Sequence, residues 1–186
     1  IMGEYNEFVH FLVTKGINKT FLNSDLDKMK AVFTEMFKSA TQELRIFAGT
    51  LCNDVTDSEE YVETLSDFIE KGGKLRILLN NFDRQKAGKS RLFNRLTYYC
   101  SLDEYNIQVK STKEEPYVVM GKGDKKNVHF AVGDKKSYRI ETDIEKRNAV
   151  CNMNDPDNAG KYADFFDEIF DSKESEEIDL KKLFLK

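Results

Sequence analysis

Three consecutive stretches, "ELRIFAGTL", "DSEEYVETLSDFIEKGG" and "KLRILLNNF", do most to limit what this chain can fold into. The first reads as a strand ending in small residues. The second is a capped amphipathic helix stopped at Gly72-Gly73. The third is a nearly continuous apolar run, the pattern of a strand buried on both faces. Strand, helix and strand in that order predict a parallel crossover, because parallel neighbours need a long connection that packs back onto the sheet.

The rest of the chain supplies helices for both faces of such a sheet. "GEYNEFVHFLVTKG" places Tyr5, Phe8, Val9 and Leu12 at helical spacing and stops at Gly16. "NSDLDKMKAVFTEMFKSA" opens on a cap at Ser24 or Asp25 and aligns Leu26, Met29, Val32, Phe33, Met36 and Phe37 on one side. A helix through "KSRLFNRLTYYCSL" precedes a strand, "NIQVKS". After Pro116 come four short strands, "YVVMG", "NVHFAVG", "SYRIET" and "NAVCNMN". A last helix starts at Pro156 and carries Tyr162, Phe165, Phe166, Ile169 and Phe170 as its core side, and "EEIDLKKLFLK" predicts one more short helix. The expected fold is α/β, with a mixed, largely parallel central sheet flanked by helices on both faces. At 186 residues the chain is expected to be one domain, 1–186, with an N-terminal helical extension over 1–20 and a tail over 176–186.

The segment "KKNVHFAVGDKKSYRIE" is a hairpin by its alternation and its Gly-Asp turn, and it holds one of the chain's two histidines. On its first arm Asn127, His129 and Ala131 share one side, while Val128, Phe130 and Val132 share the other. The apolar side reads as core, so Asn127 and His129 are expected to face a groove or solvent. The plain reading of such a pattern is the polar outer side of a half-exposed hairpin.

Together with "FLNSDLDKMKAVFTEMFKSATQELRIFAGTL" and "LSDFIEKGGKLRILLNN", this hairpin resembles one half of the phospholipase D superfamily, over about residues 20–172 in element order. Members carry His-x-Lys, four residues, then Asp, with a Gly-Ser segment on the return strand. Asp134 falls at the Asp of that motif, Asn127 at its histidine and His129 at its lysine, while Glu141 and Thr142 fall at Gly-Ser. With His129 as the motif histidine instead, Ala131 stands at the lysine and Lys136 at the aspartate, a poorer fit.

The resemblance implies phosphodiester cleavage by a histidine nucleophile, with a second histidine as acid and lysines holding the phosphate, from two motif copies. This chain has one copy, so activity would need a symmetric dimer, and even that dimer lacks the paired lysines. Asparagine forms no stable phosphoenzyme. The expectation is a catalytically degenerate domain that serves as a binding or dimerisation module, with His129, Asn127, Asp134 and Thr142 as the candidate site. A phosphate-bearing ligand, either nucleic acid or a phospholipid headgroup, is what the resemblance implies. Two rivals stand beside it: a metal-independent phosphodiesterase or nuclease using His129 across a homodimer, and a protein-partner-binding domain of a larger chain.

Charge adds one local feature. "RQKAGKSRLFNR" holds Arg84, Lys86, Lys89, Arg91 and Arg95 without an acidic residue, between a strand's carboxyl end and a helix start. Arg84, Lys86, Lys89 and Arg91 are therefore the candidate phosphate-binding residues; a solvated helix face is the alternative. Lys122, Lys125 and Lys126 extend this rim near the hairpin. "AGKS" lacks the first glycine and the spacing of a nucleotide loop. The formal net charge of -4 gives no global argument for nucleic acid, and the last helix and tail are acidic, which would suit a basic patch on a partner. Three scattered cysteines and two histidines predict no metal site, no cofactor, reduced thiols and a cytoplasmic location. No apolar run approaches membrane-helix length, and "FVHFLVTKGI" lacks the flanks of a signal peptide.

Overall fold

The expected crossover forms. In the computed structural model, which describes residues 3–184, Ser58 accepts a hydrogen bond from the Tyr61 amide and starts α3 (Glu59–Glu70) between β2 (Glu43–Ala48) and β3 (Lys74–Leu79). A second crossover, α4 (Arg84–Lys89) and α5 (Arg91–Ser101), leads to β4 (Ile107–Ser111). The basic stretch is thus two helices. Ser90 is extended, with ψ 133°, so it ends α4 and then caps α5 by accepting from the Phe93 amide.

Before these units lie α1 (Glu4–Lys15), β1 (Phe21–Asn23) and α2 (Leu26–Ser39). After them come a ribbon of β5 (Tyr117–Val119) and β6 (Lys125–Asn127), then β7 (His129–Gly133), β8 (Ser137–Asp143) and β9 (Asn148–Asn152). The chain closes with α6 (Pro156–Phe170) and β10 (Glu176–Glu177). The tail carries that strand and a 3-10 turn, Leu180–Lys182; residues 185 and 186 of it, and residues 1 and 2 of the N-terminal segment, lie outside the described residues.

The main sheet runs β1-β9-β8-β7-β2-β3-β4-β10. Among the described residues only β2, β3 and β4 pair in parallel, and every other neighbour in this sheet is antiparallel. The sheet is therefore mixed rather than largely parallel. Helical crossovers supply only two parallel pairs, whereas the strands after Pro116 return through tight turns, which force antiparallel pairing.

Helices cover both faces. α1, α2, α3 and α5 bury Val9, Leu12, Val32, Met36, Leu65 and Phe93 against Ile46, Ile77 and Ala131. On the other side α6 buries Ala163 and Phe166 against Phe47, Leu78, Phe130 and Val132. The hairpin is thus covered on both sides, and Ala131, expected on an outer face, is 2% exposed. Two arginines lie under α6: Arg45 donates from Nε and Nη2 to the Asp167 carboxylate at 2.9 Å each, and Arg76 Nη1 sits 3.1 Å from the same group.

Asp134 fixes the hairpin to the parallel strands. Asp134 and Lys135 have φ of 51° and 49°, which gives a two-residue turn closed by the Lys136 amide on the Gly133 carbonyl at 2.9 Å. The Asp134 carboxylate then accepts from the amides of Thr41, Gln42 and Glu43 at 2.7, 2.8 and 2.9 Å. These are charge-assisted bonds to amides at the start of β2 that have no strand partner there. Asp134→Ala is expected to lower stability by about 2 kcal/mol in urea unfolding, whereas substituting the neighbouring exposed Lys136 by Ala changes it little.

Candidate functional site

The carboxyl end of β2 opens onto a pocket whose far wall is the start of β7 and the end of β8. Gly49 follows β2, and a Cβ placed there would lie 3.5 Å from His129 Cε1 and 3.9 Å from Asn80 Oδ1. His129 is directly across the ladder from Glu141, and Ala131 from Arg139, so these four side chains share one side of the sheet. His129 Nδ1 stands 3.7 Å from Glu141 Oε1, and the other oxygen, Oε2, accepts from Arg139 Nη1 at 2.8 Å.

This pair belongs to a buried polar chain. Arg139 Nε donates to Asn23 Oδ1 at 2.9 Å and its Nη2 to the Arg147 carbonyl at 3.2 Å. Asn23 Nδ2 donates to the Tyr5 hydroxyl at 2.9 Å, which donates on to the Leu22 carbonyl. Arg139 is 3% exposed and Glu141 6%, and the guanidinium lies 5.3 Å from the Phe33 ring centre. Burial pushes the Glu141 carboxyl up, but the nearby His129 ring and the bonded Arg139 guanidinium outweigh it and hold it below the usual glutamate range.

Two chambers meet at His129. The outer, about 210 Å³, is lined by Gly49, Thr50, Cys52, Asn53, Ile144 and Arg147 among others. The inner, about 50 Å³, reaches Phe33, Tyr61 and Arg139. Met29, Leu51, Asn53, His129 and Glu141 line both. Leu51 adopts a left-handed φ of 56° although it is not glycine, in the loop that forms the floor.

The sequence-derived candidates scatter around this pocket. His129 is in it. Asn127 is exposed on the β5–β6 ribbon opposite Tyr117. Thr142 lies half-buried in the bulge where β8 shifts register against β9. Asp134 is at the opposite end of β7, about 16 Å of extended chain from His129, so of the four candidates only His129 lines the pocket. Among the basic residues, Lys86 is near enough to Cys52 to act on its thiol electrostatically. Arg84 Nη2 donates to the Lys182 carbonyl at 2.9 Å, and the Arg91 amide donates to Asp57. Lys86 and Lys89 are exposed on α4. Burial chiefly raises the Cys52 and Cys100 thiols above their ordinary values.

Glu141, Arg139, Asn53 and Tyr61 were not among the candidates. Arg139 and Glu141 alternate with Tyr138 and Ile140, which reads as a solvated side until α2 is known to cover it. Among the described residues no group of three or more His, Cys, Asp and Glu is placed to hold a metal, and no helix is long and apolar enough to cross a membrane.

No protein-family model and no curated protein matches the sequence. Solved structures do match the fold. TrmBL2, an archaeal chromatin protein described with a novel mode of DNA binding, superposes with a TM-score of 0.64 at 11% identity, over 92% of this chain and 61% of that one. Nuc, a phospholipase D family member from Salmonella typhimurium, gives 0.57 at 10% identity, over 87% and 99%. NucT from Helicobacter pylori gives 0.55 at 11% identity, over 87% and 100%. The chain therefore spans about three fifths of TrmBL2 and essentially all of Nuc and NucT.

Two ion-paired carboxyls, one in the pocket and one under α6, make stability depend on acid. The Glu141 and Asp167 carboxyls are both lowered in the folded state against burial, the first by His129 and Arg139, the second by Arg45 and Arg76. Lowered folded values mean that the stabilisation is complete above the unfolded values, about 4, and is lost as pH falls through the folded ones. Unfolding free energy is expected to be flat from pH 7 to about 5 and to drop below about 4. Glu141→Gln should flatten part of that acid limb and cost about 3 kcal/mol at pH 7, because Arg139 stays buried without its counter-charge. Urea unfolding across pH checks both.

Proposed function

We propose that this chain, a phospholipase D-like domain by its fold, is a non-hydrolytic binding module for nucleic acid whose phosphates lie on the basic rim rather than at His129. The observation that carries the reading is Glu141. A carboxylate stands where the superfamily motif has glycine, points at His129 and is held ionised by Arg139. A phosphodiester brought to His129 would meet that negative charge at close range in a partly dry pocket, where repulsion is strong. Nucleophilic attack also needs a phosphate held by several cations, and of the two arginines that line the chambers Arg139 is already committed to Glu141, which leaves Arg147 alone.

Binding to nucleic acid is supported by two things. Exposed Lys86 and Lys89, with Arg84 and Arg91 beside them, follow the carboxyl end of β3. Lys122, Lys125 and Lys126 are likewise exposed on and next to the β5–β6 ribbon. The fold is also that of TrmBL2, a DNA-binding protein. The second reading, a metal-independent phosphodiesterase working through His129 in a dimer, draws on the likeness to Nuc over nearly its whole length.

Fluorescence anisotropy with labelled single-stranded DNA in chelator separates the two. Salt-sensitive binding without cleavage is expected, and Lys86→Ala with Lys89→Ala should reduce the slope of log affinity against log salt by about 1.4. DNA or phosphodiester cleavage that disappears in His129→Ala would establish the second reading instead.

A further inference from the structure

The pocket beneath His129 holds polar groups that its own protein leaves without partners. The Tyr61 hydroxyl is in a residue 1% exposed and has no hydrogen-bond partner among the described residues. It belongs to the lining of the inner chamber together with Arg139 and Glu141. A buried hydroxyl forfeits its water bonds and regains them only if an acceptor comes to it. At the waist, Asn53 Oδ1 accepts from the Val55 and Thr56 amides at 2.9 and 3.0 Å, which leaves its Nδ2 to donate outward. Glu141 Oε1 is 3.7 Å from His129, beyond hydrogen-bond length, so it keeps lone pairs for a donor from the pocket.

These groups select a ligand by charge, size and edge. At its own wall the ionised carboxylate turns away anionic groups and favours adjacent N–H donors, while Arg147 stands elsewhere in the lining of the outer chamber. The hydroxyl and the amide require an acceptor beside those donors. An apolar cavity of about 150 Å³ accommodates a benzene ring, so the outer chamber of about 210 Å³ takes a purine, and the inner one, about 50 Å³, takes only a projecting atom. Met29 and Leu51 offer apolar contact to the ring. Adenine and cytosine present an acceptor where the carboxylate needs a donor, and uracil presents one donor between two acceptors. Guanine alone among the common bases has two adjacent donors next to a carbonyl.

We propose that this pocket binds the edge of a guanine base, with its N1–H and 2-amino group on Glu141 and its 6-carbonyl directed toward Tyr61. The inference rests on the nucleic-acid reading only for where the base comes from: an unpaired guanine in a strand, turned out of the stack, or a free guanine nucleoside.

Calorimetric titration of the full chain with guanosine, inosine and adenosine tests it. Guanosine should bind, inosine, which lacks the 2-amino group, should bind about 10-fold more weakly, and adenosine should give no heat. Tyr61→Phe should weaken guanosine several-fold while its melting temperature stays level or rises, since an unpaired buried hydroxyl is removed. Gly49→Leu, at a position where a Cβ meets only ordinary contacts, should fill the outer chamber and abolish binding. Equal affinity for adenosine and guanosine, no heat with guanosine, or no effect of Tyr61→Phe on a folded protein would overturn the proposal. An oligothymidine carrying one guanine distinguishes the sources. Competition with guanosine assigns the base to a strand. Guanosine binding without oligonucleotide binding assigns it to the free nucleoside and defeats the nucleic-acid reading. Oligonucleotide binding that is indifferent to guanine, with no guanosine binding, overturns this proposal and leaves the nucleic-acid reading standing.

Discussion

Three backbone amides at the start of β2 converge on one carboxylate, Asp134, and that contact decides where His129 stands. It pins the turn of the β7–β8 hairpin to residues 41–43, so β7 meets β2 with Phe130 opposite Phe47 and Ala131 opposite Ile46. A slip of one residue would turn His129, Arg139 and Glu141 toward α6 and put Phe130 under α2. Asp134 is thus a scaffold group in this chain. It sets the register at one end of the strand, and the pocket forms at the other.

Given that register, the pocket's character follows from the return strand. Glu141 is carried into a nearly closed space, and such a charge persists only if it is paired. Arg139, two residues earlier on the same side, supplies the pair, and Asn23 and the Arg147 carbonyl satisfy the rest of the guanidinium. Tyr5 on α1 completes the chain of bonds, so the N-terminal helix takes part in holding the site. A carboxylate in place of a glycine changes what the pocket can accept. On the proposed reading it favours hydrogen-bond donors over an anion, and phosphate is left to the exposed lysines of α4.

Much of the fold was legible in the sequence. α2, α3 and α6 announce themselves through caps and apolar spacing, and the parallel unit β2–α3–β3 through the continuous apolar run of its second strand. β1 and β10 were not legible. Strands of three and two residues carry too few positions for a pattern, and they exist because β9 and β4 offer free edges. The site was half legible. His129 stood out as one of two histidines, but Arg139 and Glu141 alternate with apolar residues as a solvated side would. Their burial depends on α1 and α2, more than a hundred residues away in sequence. Tyr61 reads as the core face of α3, and its ring is core, packed on Phe33 and Phe37; only its hydroxyl faces a cavity.

The claim on which this account turns is that Glu141 keeps phosphate away from His129. The imidazole resonances of His129 during titration with inorganic phosphate test it, with His10, exposed beside Glu35 on the helical side, as an internal reference. The wild-type His129 signals should stay in place through millimolar phosphate, while in Glu141→Gly, where Arg139 has lost its counter-charge, they should shift saturably as phosphate takes the carboxylate's place. A saturable shift of His129 in the wild-type protein, with His10 unmoved, would contradict the account and return the pocket to phosphodiester chemistry.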